Sequence, residues 1–128
     1  MQPERQFLVP TDGSKSSNQA VEYAIELAEI LGASITLFHV LSDGMQEDLL
    51  EAKKMLTDAR ERVAAKNIRV AVKVKKGEPW EEIVREAKQG YHMIIIGSRG
   101  ISGLKRMLLG SVTENVARRS PCPVTIVR

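Results

Sequence analysis

Two short stretches of the chain carry the residue types that could do chemistry. Gly97-Ser98-Arg99-Gly100 follows the apolar run Met93-Ile94-Ile95-Ile96, and Gly110-Ser111 follows after nine intervening residues. Closely spaced glycines at a strand end let the backbone turn sharply and approach a ligand with no Cβ in the way. A Gly-Ser pair opening a helix offers free backbone N–H groups and a hydroxyl, which together suit an anion. The spacing therefore predicts a phosphate-binding loop, with Arg99, Lys105 and Arg106 as cations around it. It is a distinct kind of loop, because neither G-x-G-x-x-G nor G-x-x-x-x-G-K-[ST] occurs in the chain.

The same residues say little for catalysis. Asp12 is the one carboxylate expected in a cleft with these loops, and a single Asp without a nearby His is a poor acid–base set. Two histidines and one cysteine are too few for a zinc site, and no residue is assigned to a metal. Any Mg²⁺ would arrive on a nucleotide's phosphates. His39 and His92 read as structural, and no catalytic residue is assigned. Efficient turnover is not expected.

The bulk composition agrees with a soluble, globular chain. Its 128 residues fit a single domain, residues 1–128, with 43% hydrophobic and 27% charged side chains. No apolar run reaches the roughly 20 residues of a membrane helix. The stretch Met1-Gln2-Pro3-Glu4-Arg5 lacks the layout of a signal peptide, and one lone cysteine, Cys122, cannot form an internal disulfide. A cytoplasmic protein is expected. Charge is uneven: residues 65–128 hold 13 of the 19 Lys and Arg but 5 of the 16 Asp and Glu. That could attract an anionic ligand, nucleotide or nucleic acid, or merely reflect solvated faces of different charge.

Positioning such loops requires strands and helices in alternation. Gln6–Val9 reads as a strand stopped by Pro10 and the turn Thr11-Asp12-Gly13-Ser14. Helical spacing runs from Ser16 to Leu31, with Gly32 to end it. Ile35–Leu41 is a buried strand, and Asp43 with Gln46 resembles a capping box for a helix reaching about Lys66. Ile68–Val74 alternates, which predicts a near-edge strand with one wetter face. Gly77-Glu78-Pro79 starts a third helix with Trp80, Ile83, Val84 and Ala87 inward, ended by Gly90. Met93–Ile96 is a short central strand, Ser111–Arg119 a helix with Val112 and Val116 inward, and Val124–Val127 a last strand. This order implies right-handed crossovers and a parallel sheet with helices on both faces. Ligands of such sheets bind beyond the carboxyl ends of the strands, where Pro10–Ser14, Val40–Leu41 and Gly97–Gly100 converge.

The combination G-x-x-G, nine residues, then G-S resembles the nucleotide-binding signature of the ATP-binding universal stress proteins. The resemblance extends over nearly the whole chain: Val9-Pro10-Thr11-Asp12-Gly13-Ser14 is similar to that family's first strand and loop, His39-Val40 to its second strand end, and Pro121-Cys122-Pro123-Val124 to its closing segment. Tyr91-His92 departs from it, since an acidic residue is usual there.

The resemblance implies an α/β fold, an open five-stranded parallel sheet of order 3-2-1-4-5 related to the adenine nucleotide alpha hydrolases. It implies ATP, or ADP or AMP, as ligand. Pro10, Thr11 and Asp12 would line the adenosine part of the pocket, and Val40 would contact adenine through its backbone. Gly97, Ser98, Arg99 and Gly100 would wrap ribose and phosphates, while Gly110, Ser111, Val112 and Thr113 would hold the phosphates at the helix start. A homodimer through Val124–Val127 is implied as well. The expected role is a nucleotide-dependent stress-response or signalling module. A slow ATP hydrolase or phosphotransferase, and a non-nucleotide dimer or nucleic-acid partner, stay open as alternatives. Only 4% aromatic residues speaks against stacking on single-stranded nucleic acid.

Overall fold

Each predicted strand and helix forms, and the chain alternates between them throughout its ordered elements. The structure is a computed structural model, and it describes residues 4–42, 49–99 and 109–128. Strands β1 (Gln6–Pro10), β2 (Ser34–Leu41), β3 (Val70–Lys76), β4 (Met93–Gly97) and β5 (Val124–Val127) alternate with helices α1 (Lys15–Leu31), α2 (Leu49–Ala64), α3 (Pro79–Ala87) and α4 (Ser111–Arg119). All strand pairs are parallel and the sheet order is β3-β2-β1-β4-β5. The expected capping box at Asp43 and Gln46 lies outside the described residues.

The period-2 alternation of side chains across each strand splits the apolar residues into two cores. Phe7, Val9, Ile35, Leu37 and Ile95 face α1 and α2 and pack with Ala20, Val21, Ala24, Ala59 and Val63. Leu8, Phe38, Ile94 and Ile96 face α3 and α4 and pack with Ile83, Val84 and Val116. Phe7, Leu8 and Val9 are completely buried. Three successive buried side chains are possible only in a strand covered on both faces, and each contributes on the order of 2 kcal/mol of apolar burial.

Helix boundaries follow local chemistry. Ser14 caps α1, its Oγ accepting from Ser17 N–H at 3.1 Å. Gly32 ends that helix in the left-handed region at φ 68°. Pro79 occupies the first turn of α3. α2 stops at Ala64, short of the expected Lys66, and the chain turns through Asn67 at φ 58°.

Two expectations need correction. β3 begins at Val70, and the buried Ile68 precedes it. Its exposure also exceeds one wet face: six of its seven residues are exposed, Val72 and Val74 among them at 37% and 46%. As the outermost strand it has a neighbour on one side only among the described residues. In α3, Trp80 packs half-buried against the core beside Ile83, Val84 and Ala87, and Glu86 joins the buried face.

Candidate functional site

β1 lies between β2 and β4. Its outgoing chain crosses by α1 to β2, whereas β4 receives the chain from β3 by way of α3, so the strand order reverses between β1 and β4. At such a reversal the loops diverge to opposite faces and leave a crevice beyond the strand ends. Two turns border it: Thr11–Ser14 after β1 and Ser98–Arg99 after β4, with the start of α4 beside the second.

The first turn is held by its own side chains. Ser14 N–H donates to Asp12 Oδ1 at 2.9 Å, Asp12 N–H to Ser17 Oγ at 3.3 Å, and Ser17 Oγ–H to the Ser14 carbonyl at 3.2 Å. Half of the Asp12 carboxylate thus serves the turn, and its other oxygen has no partner among the described residues. Gly13, at φ 82°, supplies the left-handed step. Thr11 is buried: its hydroxyl donates to the Val9 carbonyl at 2.9 Å, its N–H to the Phe38 carbonyl at 2.8 Å, and its own carbonyl lies 2.7 Å from His39 Nδ1. The Thr11 side chain therefore braces the strand end. His39 locks the ends of β1 and β2 together, in keeping with a structural role, and His92 is exposed with its ring tilted against Phe7.

The second turn is held from outside. A Cβ on Gly97 would lie 2.4 Å from Ser16 Oγ and 2.6 Å from the Ser16 carbonyl oxygen, so only glycine lets β4 end against the first turn of α1. Ser16 Oγ accepts from Arg99 N–H at 3.1 Å. Thr113 Oγ1–H donates to the Gly97 carbonyl at 2.7 Å, Ser98 N–H to Val127 at 3.0 Å, and Gly110 N–H to the Ser98 carbonyl at 2.8 Å. The last bond draws together the two ends of the stretch between Arg99 and Leu109. Gly100, Lys105 and Arg106 lie within that stretch, outside the described residues.

Gly110 is the N-cap residue of α4 and gives it no side-chain cap. Helix N-termini carry donors without intrahelical partners and a partial positive charge. Ser111 is exposed and Val112 half-buried at this end, whereas Thr113 is buried with its hydroxyl committed to Gly97. Val40 sits at the end of β2, half-buried against the core under α3 and α4. Bonds through Ser16, Thr113 and Gly110 thus bring the end of β4 against the starts of α1 and α4, while Val112 packs half-buried against the core.

Sequence reasoning missed Ser16 and Ser17, which join the turns to α1. It also missed a buried polar cluster away from the crevice. Glu86 Oε2 accepts from Lys73 Nζ and from the Tyr91 hydroxyl, both at 2.7 Å. Burial pushes the Glu86 carboxyl up, but these two donors outweigh it and hold the group below the usual glutamate range. Burial and the neighbouring carboxylate raise the Tyr91 hydroxyl. Glu86 falls between Ile83 and Ala87 on the inner stripe of α3, and a charge at such a position was the available signal.

Among the described residues no cluster of His, Cys, Asp and Glu could hold a metal ion, and no helix is long and apolar enough to cross a membrane. Residues 4–128 match the family model described as the universal stress protein family. The chain belongs to that family. It is similar to the universal stress protein YxiE of Bacillus subtilis, 36% identical, with 95% of this chain and 97% of that protein aligned. The fold is that of the universal stress protein UspA from Lactobacillus plantarum, with a TM-score of 0.88 at 23% identity over 100% of both chains. A universal stress protein solved in complex with cAMP is 25% identical, with a TM-score of 0.77 and 97% of each chain covered.

Proposed function

We propose that this universal stress protein binds an adenine nucleotide, ATP or its hydrolysed forms, in the crevice between β1 and β4. It would act as a nucleotide-dependent stress-response module, with the whole chain as one domain. The observation that carries the reading is the contrast of helix starts at the crevice: α1 is capped by Ser14, while α4 starts at Gly110 with no side-chain cap. A phosphate oxygen satisfies that kind of helix start, and a glycine before it leaves room for the approach. The cAMP complex of a relative supports an adenine ligand.

In this reading Val40 and Pro10 lie towards the base, Asp12 offers its second carboxylate oxygen to a ribose hydroxyl, and the backbone around Gly97–Gly100 and Gly110–Thr113 takes the phosphates. Thr11 and Thr113 keep the strand ends in place. Mg²⁺, carried by the phosphates, would neutralise their charge. The homodimer would form through β5, whose Val-Thr-Ile-Val sequence is free of charge.

Titration calorimetry with ATP tests the site. We expect binding that Gly110→Val weakens at least tenfold, about 1.4 kcal/mol. Binding that Gly110→Val leaves unchanged would place the phosphates elsewhere. A solution mass of one chain would remove the β5 dimer.

A further inference from the structure

Hydrogen bonds at both ends of β3 tell which of its backbone groups face its neighbour. The Arg69 carbonyl accepts from Ile35 N–H at 2.9 Å, and Gly77 N–H donates to the Leu41 carbonyl at 3.0 Å. In a strand both groups of one residue point the same way and successive residues alternate. The odd-numbered residues therefore pair with β2, and Val70, Val72, Val74 and Lys76 direct their N–H and C=O away from the sheet. β3 is the outermost strand of the sheet, so among the described residues this row has no strand beyond it.

The side chains along this edge sort by face. Val72 stands beside Leu37 on the face of α1 and α2, yet Val72 and Val74 keep 37% and 46% exposure. Lys73 and Lys75 stand beside Phe38 and Val40 on the face of α3. Lys73 is committed to Glu86, and Lys75 lies within electrostatic reach of the same carboxylate without an ion pair of its own among the described residues. The edge thus presents unpaired backbone, an apolar shelf on one face and cationic side chains on the other. A second copy of the chain is a poor occupant, because it would bring the same lysines opposite these.

We propose that β3 is a docking edge for an extended segment of a partner protein in which acidic and apolar residues alternate. The segment would add as a sixth strand. Its backbone would bond to Val72 and Val74, its apolar side chains would cover the two valines, and its carboxylates would face Lys75 and the exposed flank of Lys73. Strand addition draws affinity from the main chain and specificity from alternate side chains. The site is separate from the crevice and does not depend on nucleotide.

The test uses the full chain and a fluorescein-labelled peptide of alternating glutamate and valine, followed by fluorescence anisotropy. Val74→Pro removes one outward N–H while leaving the bonds to β2 intact, and should weaken binding about tenfold. Lys75→Glu should weaken it about fivefold, and Lys75→Arg should restore it. Circular dichroism of Val74→Pro establishes that the fold is kept; should it not be, the Lys75 pair decides alone. Slowed amide exchange at Val72 and Val74 on adding peptide would locate the new strand. The proposal is overturned if the peptide does not bind, if binding ignores both substitutions, or if a proline-interrupted peptide or a single-stranded oligonucleotide binds equally well.

Discussion

The two turns that border the crevice are built in opposite ways. The turn after β1 is self-contained: Asp12, Ser14 and Ser17 lie within six residues of one another and satisfy each other's backbone groups. The turn after β4 is held by residues far off in the chain, Ser16, Thr113 and Val127. A self-capped turn uses its donors internally and ends as a rigid wall. A turn braced from outside can leave the helix beside it uncapped, so that end is where an anion has something to gain. The difference also tells which substitutions should propagate across the molecule and which should stay local.

The largest effect should come from Gly97→Ala. Its new methyl would meet backbone of Ser16, which cannot move without displacing α1 from β4. A loss of about 3 kcal/mol is expected in chemical denaturation, at the upper end for overpacking. The contrast is Gly32→Ala, where nothing lies within 4 Å and only the left-handed backbone opposes the change. That cost should be near 1 kcal/mol. Equal losses at the two glycines would refute the idea that β4 is braced against α1.

Next comes Thr113→Val, which keeps the shape but strands the buried Gly97 carbonyl. A loss of about 2 kcal/mol is expected, and Thr113→Ser should recover most of it. If Thr113→Val weakened ATP binding without lowering stability, its hydroxyl would serve ligand rather than the strand end.

The smallest effect belongs to the self-contained turn. Ser14→Ala removes the cap of α1 and should cost about 1 kcal/mol. Asp12→Asn keeps an oxygen for Ser14 N–H and should be nearly neutral in thermal melts. If both were neutral, the turn would be held by contacts beyond its own side chains.

Much of this was legible beforehand because it is local. The turn Thr11–Ser14, Gly32 as stop and Pro79 in the first turn of α3 act over a few residues of chain, so their types announce them. The near-edge placement of β3 was legible from its alternation. Its degree of exposure was not, because that depends on which elements pack over it in the folded chain. Glu86 was passed over for a similar reason: its burial is tolerable only through Lys73 and Tyr91, one brought to it by the middle of β3 and the other by the segment before β4.

The sequence by itself determined the alternation of strands and helices, the parallel sheet and the glycine–serine spacing that marks the family. These follow from periodicity, turn chemistry and the shape of single residues. Only the tertiary structure decided what each residue of the crevice does. It turned the hydroxyls of Thr11 and Thr113 inward to backbone carbonyls and made Gly97 a point of contact between β4 and α1. Those roles arise from atoms brought together by packing across many residues of chain. Residue type shows what a group can do, and its neighbours in space select which of those things it does.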